Sequence, residues 1–264
     1  MLAVISWLRC MRWGAGLLLL LGTQVQAEQL VRIGTGEWTP YVEQQRADAG
    51  PLGRLITEVF SRAGYRVEYH YYPWVRGVHL LKTGELDALM PYICNPERQQ
   101  FSLCSAPLLR SEAVVFHLRD KAFSWQQFSD FEAYTIALTK GYSYGPSFDA
   151  ARQSLALNIQ ESSKEDAGMR LLLAGRVDVH LQDRAVGYAM LRRLFTAEEQ
   201  QRIVHDPKPV SREQMGLLFR KDASGEQLRQ AFDAALRPLQ ENGELQRLQE
   251  ALERGEAAAW EPRL

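Results

Sequence analysis

Metal-ligand patterns are missing from this sequence. Its five histidines, at positions 70, 79, 117, 180 and 205, are scattered without the spacing of a ligand set. No metal and no cofactor is therefore expected. Charge of one sign is lacking as well: 31 Lys and Arg stand against 32 Asp and Glu, a net charge of −1. That excludes a basic nucleic-acid binder. Long apolar runs are also absent, since the best candidate, "WGAGLLLLLG" near the start, falls short of the roughly 20 residues that span a bilayer. Cysteine is scarce, with three in 264 residues, so a disulfide-dense scaffold is ruled out.

What is present begins with that short run. Arg9 and Arg12 precede it, and "VQA" follows with small residues at Val25 and Ala27. This is the pattern of a secretory signal peptide over residues 1–27, cleaved near Ala27. The leader carries two arginines and no acid, so its removal takes the net charge from −1 to −3. Cys10 would leave with it, and Cys94 and Cys104 remain. An even pair in an oxidising compartment reads as a disulfide, with two buried free thiols as the alternative. About 237 residues then suit one large domain or two ordinary lobes.

The mature chain alternates strand and helix. "LVRIGTGEW" reads as a buried strand entering a glycine turn. Leu52, Leu55, Ile56, Val59 and Phe60 have helical spacing between Pro51 and Gly64. "VEYHYY" is a strand, Val75–Thr83 a helix and "ELDALM" a strand. This β-α-β-α-β order predicts a mostly parallel sheet with packed helices. A second unit echoes the first. "LLKTGELDALM" (80–90) and "LLLAGRVDVHL" (171–181) share Leu-Leu-x-x-Gly-x-(Leu/Val)-Asp. "SSKEDAGMRLLLAG" supplies that unit's helix, with Ser163 and Asp166 as a capping-box variant. "EAVVFHLRD" and "MGLLFRKD" are extended stretches that leave one unit and return to it. The predicted division is lobe 1 over 28–115 plus 212–264 and lobe 2 over 116–211, with two mixed sheets joined by two hinge strands.

Ligands of open α/β sheets bind beyond the carboxyl ends of the strands. Four loops should therefore face a cleft between the lobes. In "GEWTPY", Trp38 and Tyr41 flank Thr39-Pro40 and offer flat surfaces, unless Trp38 only covers the core. In "YYPWVRG", Trp74 would face Trp38 across a ligand, and Arg76 reads an acidic group or is simply solvated. In "CNPERQQFSLCS", Arg98 sits in a helical turn begun by Asn95-Pro96. Its planar guanidinium can grip a carboxylate bidentately. The bland alternative pairs it with Glu97 at the surface. In the second lobe, Gly141 and Ser143 of "TKGYSYG" can donate to an anion. Asp183 of "LQDR" would meet an ammonium, or else cap the next helix. Arg98 and Asp183 together suit a zwitterion.

On these pieces, and on the terminal "FDAALRPLQENGELQRL", the chain resembles the periplasmic solute-binding proteins for polar amino acids, bacterial extracellular family 3 with the two-lobed type II fold. The resemblance covers nearly all of residues 28–250. It implies that Arg98 holds a ligand α-carboxylate with help from Ser143, and that Asp183 holds the α-amine. It implies too that the aromatics at Trp38 and Trp74 stack on the side chain. There are departures: Asn95 stands where the family usually has Thr, Cys104 where it has Phe, and Tyr92 where it has small polar residues. Tyr92 accordingly joins the ligand-facing set. The implied protein is a periplasmic monomer that delivers an amino acid or small carboxylate to an inner-membrane ABC permease. One alternative is a sensor for a receptor or kinase. The other is an enzyme resembling cyclohexadienyl dehydratase, for which Glu37 and His180 are the acid–base candidates by position. No clear acid–base pair is present, so a non-enzyme with no catalytic residues is expected.

Overall fold

The computed structural model describes residues 29–254 and Glu256. The leader inferred for residues 1–27 and its cleavage site lie outside them. The first strand, β1 (Gln29–Thr35), turns Val31 and Ile33 into the core. It leads to α1 (Gly50–Arg62), where Pro51 occupies the first turn and the five apolar residues at helical spacing are all buried. Next come β2 (Tyr65–Tyr71), α2 (Trp74–Lys82), β3 (Ala88–Ile93), the single turn α3 (Pro96–Gln99), β4 (Ser102–Cys104) and the long β5 (Leu109–Leu118). A 3₁₀ turn at Phe128–Ala133 opens the second unit of β6 (Thr135–Thr139), α4 (Pro146–Ser154), β7 (Asn158–Ser162), α5 (Ala167–Leu173) and β8 (Val179–Asp183). After α6 (Arg184–Leu194), α7 (Ala197–Arg202) and β9 (Ile203–His205), the second long strand β10 (Ser211–Arg220) returns the chain to α8 (Ala223–Glu241) and α9 (Glu244–Arg254).

The internal echo is structural. In the first unit β1 lies between β2 and β3, parallel to both; in the second, β6 lies between β7 and β8 in the same way. The shared aspartate does the same work twice. Asp87 accepts from the Arg32 amide at 2.9 Å, and its own amide donates to the Arg32 carbonyl at 2.9 Å. Asp178 accepts from the Thr135 amide at 2.8 Å and donates to the Thr135 carbonyl at 2.9 Å. Each aspartate thus pins the incoming third strand against the first. One local expectation fails. α5 starts one residue after Asp166, and no side-chain cap forms there, from Ser163 or any other residue.

The strand order is β2-β1-β3-β10-β5-β8-β6-β7. The two units are not separate sheets: β5 and β10 pair antiparallel, from Ser211↔Ala113 to Met215↔Leu109, and link them into one hydrogen-bonded path. Alternation along these strands divides the core. Ala113 and Val115 point into an aromatic cluster of the second unit that includes Phe131, Tyr144 and Phe148. Val114 and Phe116 point into the larger cluster, which fills the first unit and continues under α5 and α6 of the second, where Phe116 meets Tyr188. No described helix is long and apolar enough to cross a membrane.

Candidate functional site

Between the two units lies a cavity onto which residues from both converge. Trp38, Trp74, Tyr92, Arg98, Gly141, Ser143 and Asp183 all line it. Seven of the nine ligand-facing residues read from the sequence therefore meet at one place, although up to 145 positions separate them in the chain.

Arg98 is set by local chemistry. Asn95 caps α3 by accepting from the Arg98 amide at 2.9 Å, and Pro96 fills the first helical position, where no N–H is needed. Ser102 Oγ donates to the Arg98 carbonyl at 2.7 Å. A disulfide joins Cys94 to Cys104 around this turn, with Cα atoms 6.1 Å apart. The side chain is 9% exposed, so the surface pairing with Glu97 does not form. Its guanidinium carbon lies 4.8 Å from the Tyr92 ring centre, Nη1 donates to the Ile93 carbonyl at 2.8 Å, and Nη2 donates to the Gly141 carbonyl at 3.1 Å. No ion pair among the described residues includes Arg98. A buried cation without a counter-ion is costly in a protein interior.

Asp183 ends β8 and caps α6. Its Oδ1 accepts from the amides of Ala185 and Val186 at 3.0 and 3.1 Å. Its Oδ2 accepts from Ser111 Oγ at 2.7 Å and from the Glu112 amide at 3.2 Å. Burial pushes the carboxyl above its usual range, against these four donors. The capping role is therefore real, and any ammonium must share oxygens that are already engaged.

Gly141 and Ser143 depart from the donor roles read for them. Gly141 has φ +90°, and its carbonyl, not its amide, reaches Arg98. A Cβ there would come within 2.9 Å of the Val75 side chain, so the close approach of the two units requires glycine. The Ser143 hydroxyl donates to Asp149 in the first turn of α4 and accepts from Asn95 Nδ2 at 3.4 Å.

Two expected residues lie elsewhere. Tyr41 is buried against Trp38 in the tight turn Trp38–Val42, the rings stacked with centroids 4.3 Å apart, and does not line the cavity. Arg76 is exposed: α2 buries Trp74, Gly77, Leu80 and Leu81, and that helical phase leaves Arg76 on the outer face. The two acid–base candidates also miss the cavity lining. Glu37 is held by Thr39, the Gln44 amide and Arg193. His180 is fully buried with Nδ1 3.0 Å from the Ala137 carbonyl, and desolvation lowers its pKa to about 4.

Sequence reading missed Glu165, Ser111 and Ser211. Ser111 and Ser211 line the cavity from the hinge strands. Glu165 accepts from Trp74 Nε1 at 2.6 Å and from the Tyr142 hydroxyl at 2.8 Å, a bond from one unit to the other. Burial raises it to about 7, although both hydrogen bonds favour the ionised form. Arg193 Nη1 likewise crosses to Glu37 at 2.6 Å. With these bridges made, the cavity measures only about 40 Å³, room for roughly three water molecules.

The sequence profile of the bacterial extracellular solute-binding proteins, family 3, matches residues 31–252. The chain belongs to this family. Among curated proteins, this solute-binding protein is 22% identical over 171 residues to the probable amino-acid-binding protein YxeM of Bacillus subtilis, covering 64% of this chain and 62% of that one. The match thus spans about three-fifths of the length of that relative. Among solved structures, a mutant of ArgBP from T. maritima superposes with TM-score 0.71 at 19% identity, over 85% of this chain and 95% of that one. A histidine kinase sensor domain with similarity to periplasmic binding proteins superposes with TM-score 0.74 at 19% identity, over 89% and 99%. At such identities these structures establish the two-lobed type II fold and no more.

Proposed function

We propose that this solute-binding protein captures a small α-amino acid, or a similar small carboxylate, by closing its two lobes around it. The hinge would lie in β5 and β10, with lobe 1 formed by 28–115 plus 212–264 and lobe 2 by 116–211. The observation that carries the reading is the buried guanidinium of Arg98, which faces the cavity with no carboxylate partner among the described residues. An entering carboxylate would supply that partner, and the Cys94–Cys104 disulfide limits the ordering entropy lost on binding. Trp38 and Trp74 would enclose the ligand side chain, and Asp183 would share its oxygens with the ligand amine. The curated relative's designation as a probable amino-acid-binding protein supports the ligand class.

The protein is read as a periplasmic monomer, exported by a leader cleaved near Ala27, that delivers its ligand to an inner-membrane ABC permease. A sensor kinase would use the same site. Catalysis is not part of the reading, because Glu37 and His180 both stand away from the cavity lining. The experiment is a thermal-shift screen of the mature protein against the twenty amino acids and small mono- and dicarboxylates. A ligand at 100 times its Kd should add about 2.7 kcal/mol of stability, and Arg98→Ala should remove that gain while the protein stays folded. A gain that survives the substitution overturns the role of Arg98.

A further inference from the structure

The paired strands β5 and β10 present two faces. Ser111 and Ala113 of β5, with Ser211 and Met215 of β10, line the interlobe cavity. By the two-residue alternation of a strand, Arg110, Glu112 and Arg212 face the opposite way. They floor a second groove of about 760 Å³ behind the hinge. That volume suits a small molecule. One wall is α6, whose Arg184, Tyr188 and Arg192 fall four residues apart on one face. The other wall includes Arg254 of α9, so the groove touches both lobes as well as the strands between them.

The charge in this groove is one-sided. Five arginines line it, at 110, 184, 192, 212 and 254, against Glu112 and Asp183. Glu112 is shared between two of them, with Arg184 Nε at 3.0 Å and Arg212 Nη2 at 2.7 Å. Asp183 has both oxygens occupied by Ser111 and by backbone amides. Arg110 and Arg192 make no side-chain hydrogen bond or ion pair among the described residues, yet both line the groove. In a protein with balanced overall charge, such a concentration in a concave site focuses positive potential. Guanidinium forks match oxyanions, and do so bidentately. The Tyr188 hydroxyl and His205 Nδ1, 2.7 Å apart, add neutral polar groups to the same surface.

We propose that this groove is a second binding site, for a small multivalent oxyanion bearing phosphate or clustered carboxylates, with Arg110 and Arg192 as its principal contacts. The site is separate from the interlobe cavity, with which it shares only Asp183 in its lining, and it does not rest on which ligand that cavity takes. Isothermal titration of the mature protein with inorganic pyrophosphate, and separately with citrate, tests it at matched ionic strength with sodium chloride as the control. One-to-one saturable binding of either probe is expected, weakening as salt rises. The double variant Arg110→Ala/Arg192→Ala should weaken it at least about tenfold, the charge reversal Arg192→Glu should do likewise, and Arg98→Ala should leave it unchanged. These arginines are exposed, so the variants should keep the parent's melting temperature. Three results would each overturn the proposal: no saturable heat with either probe, binding unaltered in both groove variants, or binding lost in Arg98→Ala.

Discussion

Arg98 reaches the interlobe cavity from the first lobe with five N–H donors, of which carbonyls take two. Asp183 reaches the same cavity from the second lobe with four donors already on its two oxygens. Both are buried, and both line the space. The guanidinium has no carboxylate partner among the described residues, whereas the carboxylate is part of the fold that caps α6 and ties it to β5. A zwitterionic ligand would therefore gain more at its acidic end than at its amine. The two walls also differ in construction. A disulfide and an Asn-Pro cap hold the first, while hydrogen bonds between distant strands hold the second.

The largest effect should come from exchanging one wall at a time. Arg98→Ala should lose essentially all binding of any amino acid or carboxylate found in the screen, a cost of about 2–5 kcal/mol for truncating a buried charged contact. Asp183→Asn should cost binding less, on the order of 1 kcal/mol, but should lower the melting temperature of the free protein because its cap is weakened. Calorimetric titration and unfolding of both variants check this. Binding that survives Arg98→Ala but vanishes in Asp183→Asn would reverse the ranking of the walls.

The covalent half of the contrast comes next. Replacing both cysteines by serine should destabilise the protein by about 2–3 kcal/mol in the chain-entropy view, measured by denaturant unfolding, and should loosen the turn that carries Arg98. Thiol titration of the unfolded, oxidised mature protein should find no free thiol. Two reactive thiols would remove the staple from the argument.

How much of this was readable in advance follows the same divide. Trp38, Trp74 and Arg98 sit in short motifs whose geometry is local: a strand entering a turn, a proline before a helix, an asparagine cap between two cysteines. The paired Leu-Leu-x-x-Gly motifs foretold the two units because each aspartate acts within its own unit. What escaped depends on partners far along the chain. Ser111 meets Asp183 across 72 positions, and Trp74 meets Glu165 across 91. No periodicity in either segment reports such a meeting. Tyr41 and Arg76 lie outside the cavity lining although Trp38 and Trp74, three and two positions away, are within it, because sequence spacing does not report which way a turn or helix directs each side chain. The continuity of the sheet was hidden too, because pairing between β5 and β10 joins stretches about 100 residues apart.

A smaller effect should appear with pH. Burial raises Glu165 to about 7 in the closed arrangement, well above the ordinary range of a carboxyl. A carboxyl raised on closure binds its proton more tightly when closed. The closed arrangement is therefore favoured most below about pH 4.5 and loses this advantage as pH rises through about 7. X-ray scattering of the ligand-free protein should show a more compact particle at pH 5.5 than at pH 8, and Glu165→Gln should flatten that dependence. A pH response that persists unchanged in Glu165→Gln would assign the effect to other groups.

The smallest effect tests the phase of α2. Arg76 stands two residues from Trp74 and is a cation beside the proposed carboxylate site, so proximity in sequence alone would give it a part in binding. The helix decides otherwise. Trp74 and Gly77 face inward, and Arg76 falls between them on the exposed side. A solvated charge on that face is screened by water and salt. Arg76→Ala should accordingly change neither stability nor ligand affinity by more than about 0.5 kcal/mol, read in the same titrations as Arg98→Ala. A loss comparable to that of Arg98→Ala would mean that the opened protein presents α2 to the ligand by a different face, and the first lobe would then hold its anion with two guanidinium groups instead of one.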